Sequence, residues 1–244
     1  MSKESQRQRA EKAAAALREK QRLERRRQIL TVVGVLAAIA LIVGGGFLVN
    51  SLRDPTKAVA EDAPAVGSDY GVTIGPDSAP NKVVLYVDFL CPVCGEFEKQ
   101  TSTQLAALAD EGKVQVEYRP FVLLDRYGPY SQRATEVFAV VLDKSGPETA
   151  KKLLDLLFEN QPSEDGPFPS VEELVQLAGR AGADTTAVQA AMDGGEGEDW
   201  VTNATKAAQD LGVSGTPTVI LNGAPFTQGR NIDDLAANLL EAVQ

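Results

Sequence analysis

Hydrophobic positions follow three different rhythms along this chain. From Ile29 to Val49, "ILTVVGVLAAIALIVGGGFLV", 21 residues pass without a charge. At about 1.5 Å per residue such a run crosses the roughly 30 Å of a bilayer's hydrocarbon, so the pattern predicts a single transmembrane helix over 29–49. Residues 50–68, "NSLRDPTKAVAEDAPAVGS", mix Pro, Ala and charge with no periodic apolar face. They predict a tether, and a flexible coil of that length reaches about 25 Å. The remainder, 69–244, is one domain's worth of chain with enough residues for a substantial core.

Inside that domain the rhythm alternates between strand and helix. "KVVLYVDF" (82–89) is a continuous apolar run of strand length, as expected of a strand covered on both faces. "EFEKQTSTQLAALA" then sets Phe97, Leu105 and Leu108 at helical spacing, and "VQVEYRPF" (114–121) alternates Val114, Val116 and Tyr118 as a second strand. Strand, helix and strand make a βαβ unit. Residues 131–211 are helical in texture. Ala134, Val137, Phe138 and Val141 share a face, as do Leu153, Leu154, Leu157 and Phe158, and Ser170 with Glu173 forms a capping box. Trp200, Ala204, Ala207, Ala208 and Leu211 line a further helix that Gly212 stops. Strands return in "TPTVILNG" and "APFTQG", joined at Asn222–Gly223, a hairpin turn signal, and "IDDLAANLLEAV" closes the chain as a helix. The predicted order is βαβ, a helical block, then ββα, an α/β fold without internal repeats.

Charge gives this plan a direction. The chain holds 24 basic and 34 acidic residues; its first 28 residues carry ten basic and four acidic, leaving 14 and 30 for the rest. Basic residues packed against the start of an apolar run hold that end in the cytoplasm, which places residues 1–28 inside and everything after Asn50 outside. A cleaved signal peptide is the alternative, with "AIA" at 38–40 suited to cleavage, but the basic head is long and the apolar run exceeds a signal core. The head could also lie as a helix on anionic lipid, although topology alone accounts for it. The strongly acidic outer domain disfavours nucleic acid.

The chemistry concentrates in one place. The chain has two cysteines and no histidine, and both cysteines fall in "CPVC", Cys91-Pro92-Val93-Cys94, where the first strand hands over to the helix. Cys91 at the first turn faces unpaired backbone N–H groups and the positive end of the helix dipole, which stabilise a thiolate. Pro92 needs no N–H there. Cys94 reaches back to Cys91, and the spacing suits reversible exchange in which one sulfur attacks and the other resolves. An inert staple is a weak account, because so small a loop removes little unfolded-state entropy. A closed zinc site wants four soft ligands, and two cysteines without histidine do not supply them, so no metal is expected.

With these residues in view, about 70–244 resembles the DsbA-like branch of the thioredoxin superfamily. "CPVC", "GVSGTPTVILNG" and the helical block between two halves of a thioredoxin core carry the resemblance. It implies a thioredoxin fold with an inserted helical subdomain at about 131–211, preceded by the single transmembrane helix. It also implies a cis proline at Pro217, with Thr216 before it, facing the cysteine pair and binding substrate. The implied activity is donation of the Cys91–Cys94 disulfide to cysteine-containing proteins folding outside the cytoplasm, with a membrane quinone-linked partner restoring the pair and no cofactor of its own. The same pair run backwards makes a reductase or isomerase, and the same groove without turnover makes a peptide-binding module. Three departures matter. Where the family often keeps an acid, six positions before the first cysteine, this chain has Leu85; Asp88 is then the candidate for proton transfer, or else a solvated cap. Val93 stands where strongly oxidising members carry His, which implies a milder oxidant. Thr216 replaces an apolar residue of many dedicated oxidases.

Overall fold

The computed structural model describes residues 66–244. The predicted basic segment 1–28, the anchor 29–49 and residues 50–65 of the tether lie outside them. Among the described residues, no helix is long and apolar enough to cross a membrane.

The elements run β1 (Val72–Ile74), β2 (Asn81–Val87), α1 (Pro92–Asp110), β3 (Val114–Pro120), α2 (Tyr130–Glu159), α3 (Val171–Ala181), α4 (Thr185–Asp193), α5 (Glu198–Asp210), β4 (Thr218–Leu221), β5 (Ala224–Pro225) and α6 (Ile232–Ala242). A single turn of 3-10 helix at Asp125–Tyr127 precedes α2. One five-stranded mixed sheet forms in the order β1-β3-β2-β4-β5, with β2 and β3 parallel and the remaining pairs antiparallel. The α/β fold with a helical insertion thus has the expected order, and the insert, α2 to α5, begins and ends within a residue of 131 and 211. Two features depart from the sequence reading. β1 adds a fifth strand, too short at three residues to show any alternation. The helical block breaks inside α2 at Gly146 (φ 82°), just before Pro147, whose ring cannot continue the preceding turn.

β2 is apolar and buried from Val83 onward because both its faces are covered there. Val83, Leu85 and Val87 join the large core with α1, α2, α3 and α6, while Val84 and Tyr86 pack with Phe121, Ala208, Val213 and Ile220 on the other side. β3 alternates for another reason. Val114, Val116 and Tyr118 enter the large core, and Gln115, Glu117 and Arg119 point the other way, yet they too are buried. The Glu117 carboxylate accepts hydrogen bonds from the Gly67 and Ser68 amides, each at 2.8 Å, and from Arg119 at 2.8 Å; Arg119 also donates to the Tyr86 hydroxyl at 2.8 Å. Residues 67 and 68, assigned to the tether by composition, are therefore tied into the domain.

Caps set the remaining boundaries. Ser170 and Glu173 close the predicted capping box on α3, Asp184 caps α4, and Asn231 caps α6. Asn222 (φ 52°) and Gly223 (φ 79°) both adopt the left-handed conformation of a tight hairpin turn between β4 and β5.

Candidate active site

The end of β2 and the start of α1 place the two sulfurs. Cys91 occupies the cap position of α1 (φ −68°, ψ 113°), with Pro92 as the first helical residue. Its main chain is fixed from both sides: Cys91 N donates to Asp88 O at 3.0 Å, and Cys94 N donates to Cys91 O at 3.0 Å. Both cysteines are free thiols; Cys91 is 5% exposed and Cys94 is completely buried. Val93, between them, stands 46% exposed at the surface.

Opposite lies the turn before β4. The Thr216–Pro217 peptide bond is cis, as is Gly166–Pro167 in the insert. Cys91 Sγ lies 3.4 Å from Thr216 O, a contact the thiol makes as a donor while it holds its proton, so the redox pair and the proline turn, 125 residues apart, meet directly. Beyond Pro217 a cleft of about 300 Å³ runs along Thr218, Phe226, Arg230 and Leu235.

The sulfurs are electrostatically unequal. A hydrogen bond from the Cys94 thiol, more than any other influence, lowers the Cys91 pKa to about 6. Burial opposes it, while the Thr216 side chain and the Cys94 and Val93 amides assist. Cys94 moves the other way: burial first, then its bond and charge repulsion with Cys91, push its thiol well up. A thiolate at Cys91 and a thiol at Cys94 is thus the ground state of the reduced pair near neutral pH.

Asp88 is fully buried, so it is not a solvated cap. One carboxylate oxygen accepts from Leu90 N (2.8 Å) and Ser131 Oγ (2.7 Å), the other from Leu123 N (2.8 Å) and Leu124 N (2.9 Å). Those four bonds knit β2, the loop after β3 and the start of α2 around the redox corner. A proton passing through Asp88 would first have to break one of them. Leu85 is a core residue of β2 with no exposure.

Two further residues, Glu98 and Gln161, are brought near the pair by the fold. Glu98 lies one helical turn after Cys94, on the face that also buries Phe97, Thr101 and Leu105. It is 3% exposed, and neither oxygen has a hydrogen-bond partner. Burial raises its pKa to about 8, against the pull of Lys151 and with a small push from Asp155. An acid on the apolar stripe of α1 was the clue available. Gln161, just past the end of α2, donates to Phe89 O at 2.8 Å and to Cys91 O at 3.0 Å. Nothing local in the sequence marks it. Among the described residues, no cluster of three or more Cys, Asp or Glu side chains is placed to hold a metal ion.

The sequence profile of the family described as thioredoxin matches residues 68–241. The chain belongs to the thioredoxin family. This thioredoxin domain is 26% identical to the reduced disulfide bond oxidoreductase DsbG of Mycobacterium tuberculosis, with a TM-score of 0.59 over 78% of this chain and 92% of that one. It is 24% identical to the probable disulfide bond formation protein D of Bacillus anthracis, over 80% of this chain and 88% of that protein. It is also 27% identical, over 61% of this chain, to the serine/threonine-protein kinase PknE of Mycobacterium tuberculosis, of which it spans only 28%. The thioredoxin domain therefore has relatives among dedicated disulfide proteins and within a much longer chain.

Proposed function

We propose that this chain is a membrane-anchored thiol–disulfide oxidoreductase whose domain lies outside the cytoplasm and donates the Cys91–Cys94 disulfide to cysteine-containing proteins. The observation that carries this reading is the unequal pair, an acidic Cys91 touching the cis-proline turn and a buried, reluctant Cys94. A client thiolate attacks Cys91 and expels Cys94, which takes up a proton. A second client thiolate then attacks the client sulfur of the mixed disulfide and releases Cys91 as its stable thiolate, leaving the client oxidised and the enzyme pair reduced by two electrons. Stabilising the released thiolate favours the reduced enzyme and so makes the disulfide oxidising. The reduced pair is then reoxidised by a quinone-linked membrane partner.

The reduction potential, measured against a glutathione buffer, tests the direction. The expected value is above the roughly −270 mV of thioredoxin and below the roughly −120 mV of the most oxidising thiol catalysts. A value at or under the lower figure would make the protein a reductase, and a protein that turns over no client would be a peptide-binding module. In cells depleted of quinone the pair should accumulate reduced; a pair that stays oxidised removes the proposed partner.

The anchor rests on the charge-free run 29–49 behind a basic head. Protease added to intact cells should cut beyond the anchor and spare residues 1–28. Recovery of a free, processed species beginning near Leu41 would replace the anchor with a cleaved signal.

A further inference from the structure

The corner between β2 and α1 is held from behind by a residue of the helical insert. Gln161 is fixed by its own backbone, whose N–H donates to Phe158 O at 3.3 Å. Its side-chain Nε2 donates to Phe89 O and Cys91 O, 72 and 70 residues away. Cys91 O thereby accepts three hydrogen bonds, the other two coming from Cys94 N at 3.0 Å and Gly95 N at 3.2 Å in the first turn of α1. The residue after "CPVC" fits this arrangement. A β-carbon on Gly95 would collide with Gln161 Oε1, so glycine there leaves the room the amide occupies.

We propose that Gln161 is a positioning residue for the exchange reaction: its amide holds the Phe89 and Cys91 carbonyls and so keeps the amino end of α1 aimed at Cys91 Sγ. The argument rests on the oxidoreductase reading above. The Cys94 and Val93 amides that help lower the Cys91 pKa belong to this first turn, and the Gln161 amide, by holding the Phe89 and Cys91 carbonyls, fixes where those donors stand. The same two bonds fix the main chain on either side of Leu90, so Cys91 Sγ can move between disulfide and thiolate while the amides of Val93 and Cys94 stay in place. The step affected is release of Cys91 as a thiolate from the mixed disulfide. No proton or electron passes through Gln161.

The test is the pH titration of thiolate absorbance in the reduced full chain, where Cys91 ionises with a midpoint near 6 and Cys94 only far above it. Gln161→Glu keeps the shape but sets carboxylate oxygens against two carbonyls, and it should raise the Cys91 midpoint by about one pH unit or more. Gln161→Met, equal in length and without a donor, should raise it by about half a unit. Gly95→Ala should act in the same direction by displacing the amide. Combined with Gln161→Met, it should add nothing further, since the two changes remove one interaction. A merely structural role would lower the melting temperature and leave the midpoint in place, so folded Gln161→Met with an unmoved midpoint overturns the proposal, as does full additivity with Gly95→Ala. Wild-type protein that fails to oxidise a dithiol peptide would instead sink the oxidoreductase reading, and the titration would stand apart from it.

Discussion

Cys91→Ser should abolish exchange, whereas Cys94→Ser should yield a protein that traps its clients. The two outcomes follow from exposure and acidity together. Without Cys91 the remaining thiol, Cys94, is completely buried, and its pKa is pushed well up, so it neither reaches a client nor ionises near neutral pH. Without Cys94 the reactive sulfur remains at the helix end beside Thr216 O. Its thiolate attacks a client disulfide, forms a Cys91–client disulfide and releases one client thiolate. The enzyme's own resolving thiol is gone, so the adduct can only revert to the starting pair, and it accumulates. Serine keeps a hydroxyl donor at the position of the Cys94 thiol, the largest influence lowering the Cys91 pKa. Trapping by Cys94→Ser should strengthen as pH rises through the Cys91 titration midpoint. On a non-reducing gel, extracts of cells carrying Cys94→Ser should give a ladder that collapses with reductant, and those carrying Cys91→Ser none. Equal ladders from both variants would refute the division of roles, and no ladder from either would leave only a binder.

Glu98→Gln should stabilise the domain, and by more as the pH rises. In the fold the carboxyl is buried without a hydrogen-bond partner and ionises near 8 rather than near its ordinary 4.5. Lys151 favours the charge, but its own bond to Asp155 at 2.6 Å divides its attention, and burial wins. Tyr118 packs on the same cluster, its ring 4.7 Å from Lys151 Nζ and its buried hydroxyl likewise without a partner. Between pH 4.5 and 8 the folded state holds a proton on Glu98 that the unfolded chain has lost, so stability falls as pH rises through that window. A shift from 4.5 to about 8 corresponds to a ceiling of about 5 kcal/mol above pH 8, and to about 3 kcal/mol at pH 7. Glutamine keeps the shape and removes the titration. Denaturant midpoints of the two proteins should converge near pH 4.5 and separate above it. Parallel curves would mean that Glu98 is already ionised in the fold.

The order of elements was legible because each left a local rhythm. β2 announced coverage on both faces by its unbroken apolar run, the turn at Asn222–Gly223 needed residues that tolerate positive φ, and the α3 cap was written in Ser170 and Glu173. The redox pair was legible as well, since its spacing and its place at a strand–helix junction are local facts. Residues whose role depends on a distant partner were not. Alternation in β3 located the strand but said nothing of what covers Glu117 and Arg119, because their partners at 67, 68 and 86 share no local pattern with them. Asp88 read as a residue near a strand end, and its burial comes from Ser131 and the loop at 123–124 closing over it. Gln161 sits after a helix end where a polar residue is unremarkable, and only the fold brings it behind Cys91.

The bonds from Gly67 and Ser68 to Glu117 bear on how such a domain can be inherited. A gene fusion that joins it to a new partner must carry more than the sheet and its helices. Severing the chain after Ser68 would withdraw two donors from a completely buried carboxylate and leave it the Arg119 contact. Recombination therefore has a physical left boundary upstream of Gly67, set by one acid on the third strand. Any host that acquired the module intact would receive Gly67 and Ser68 with it.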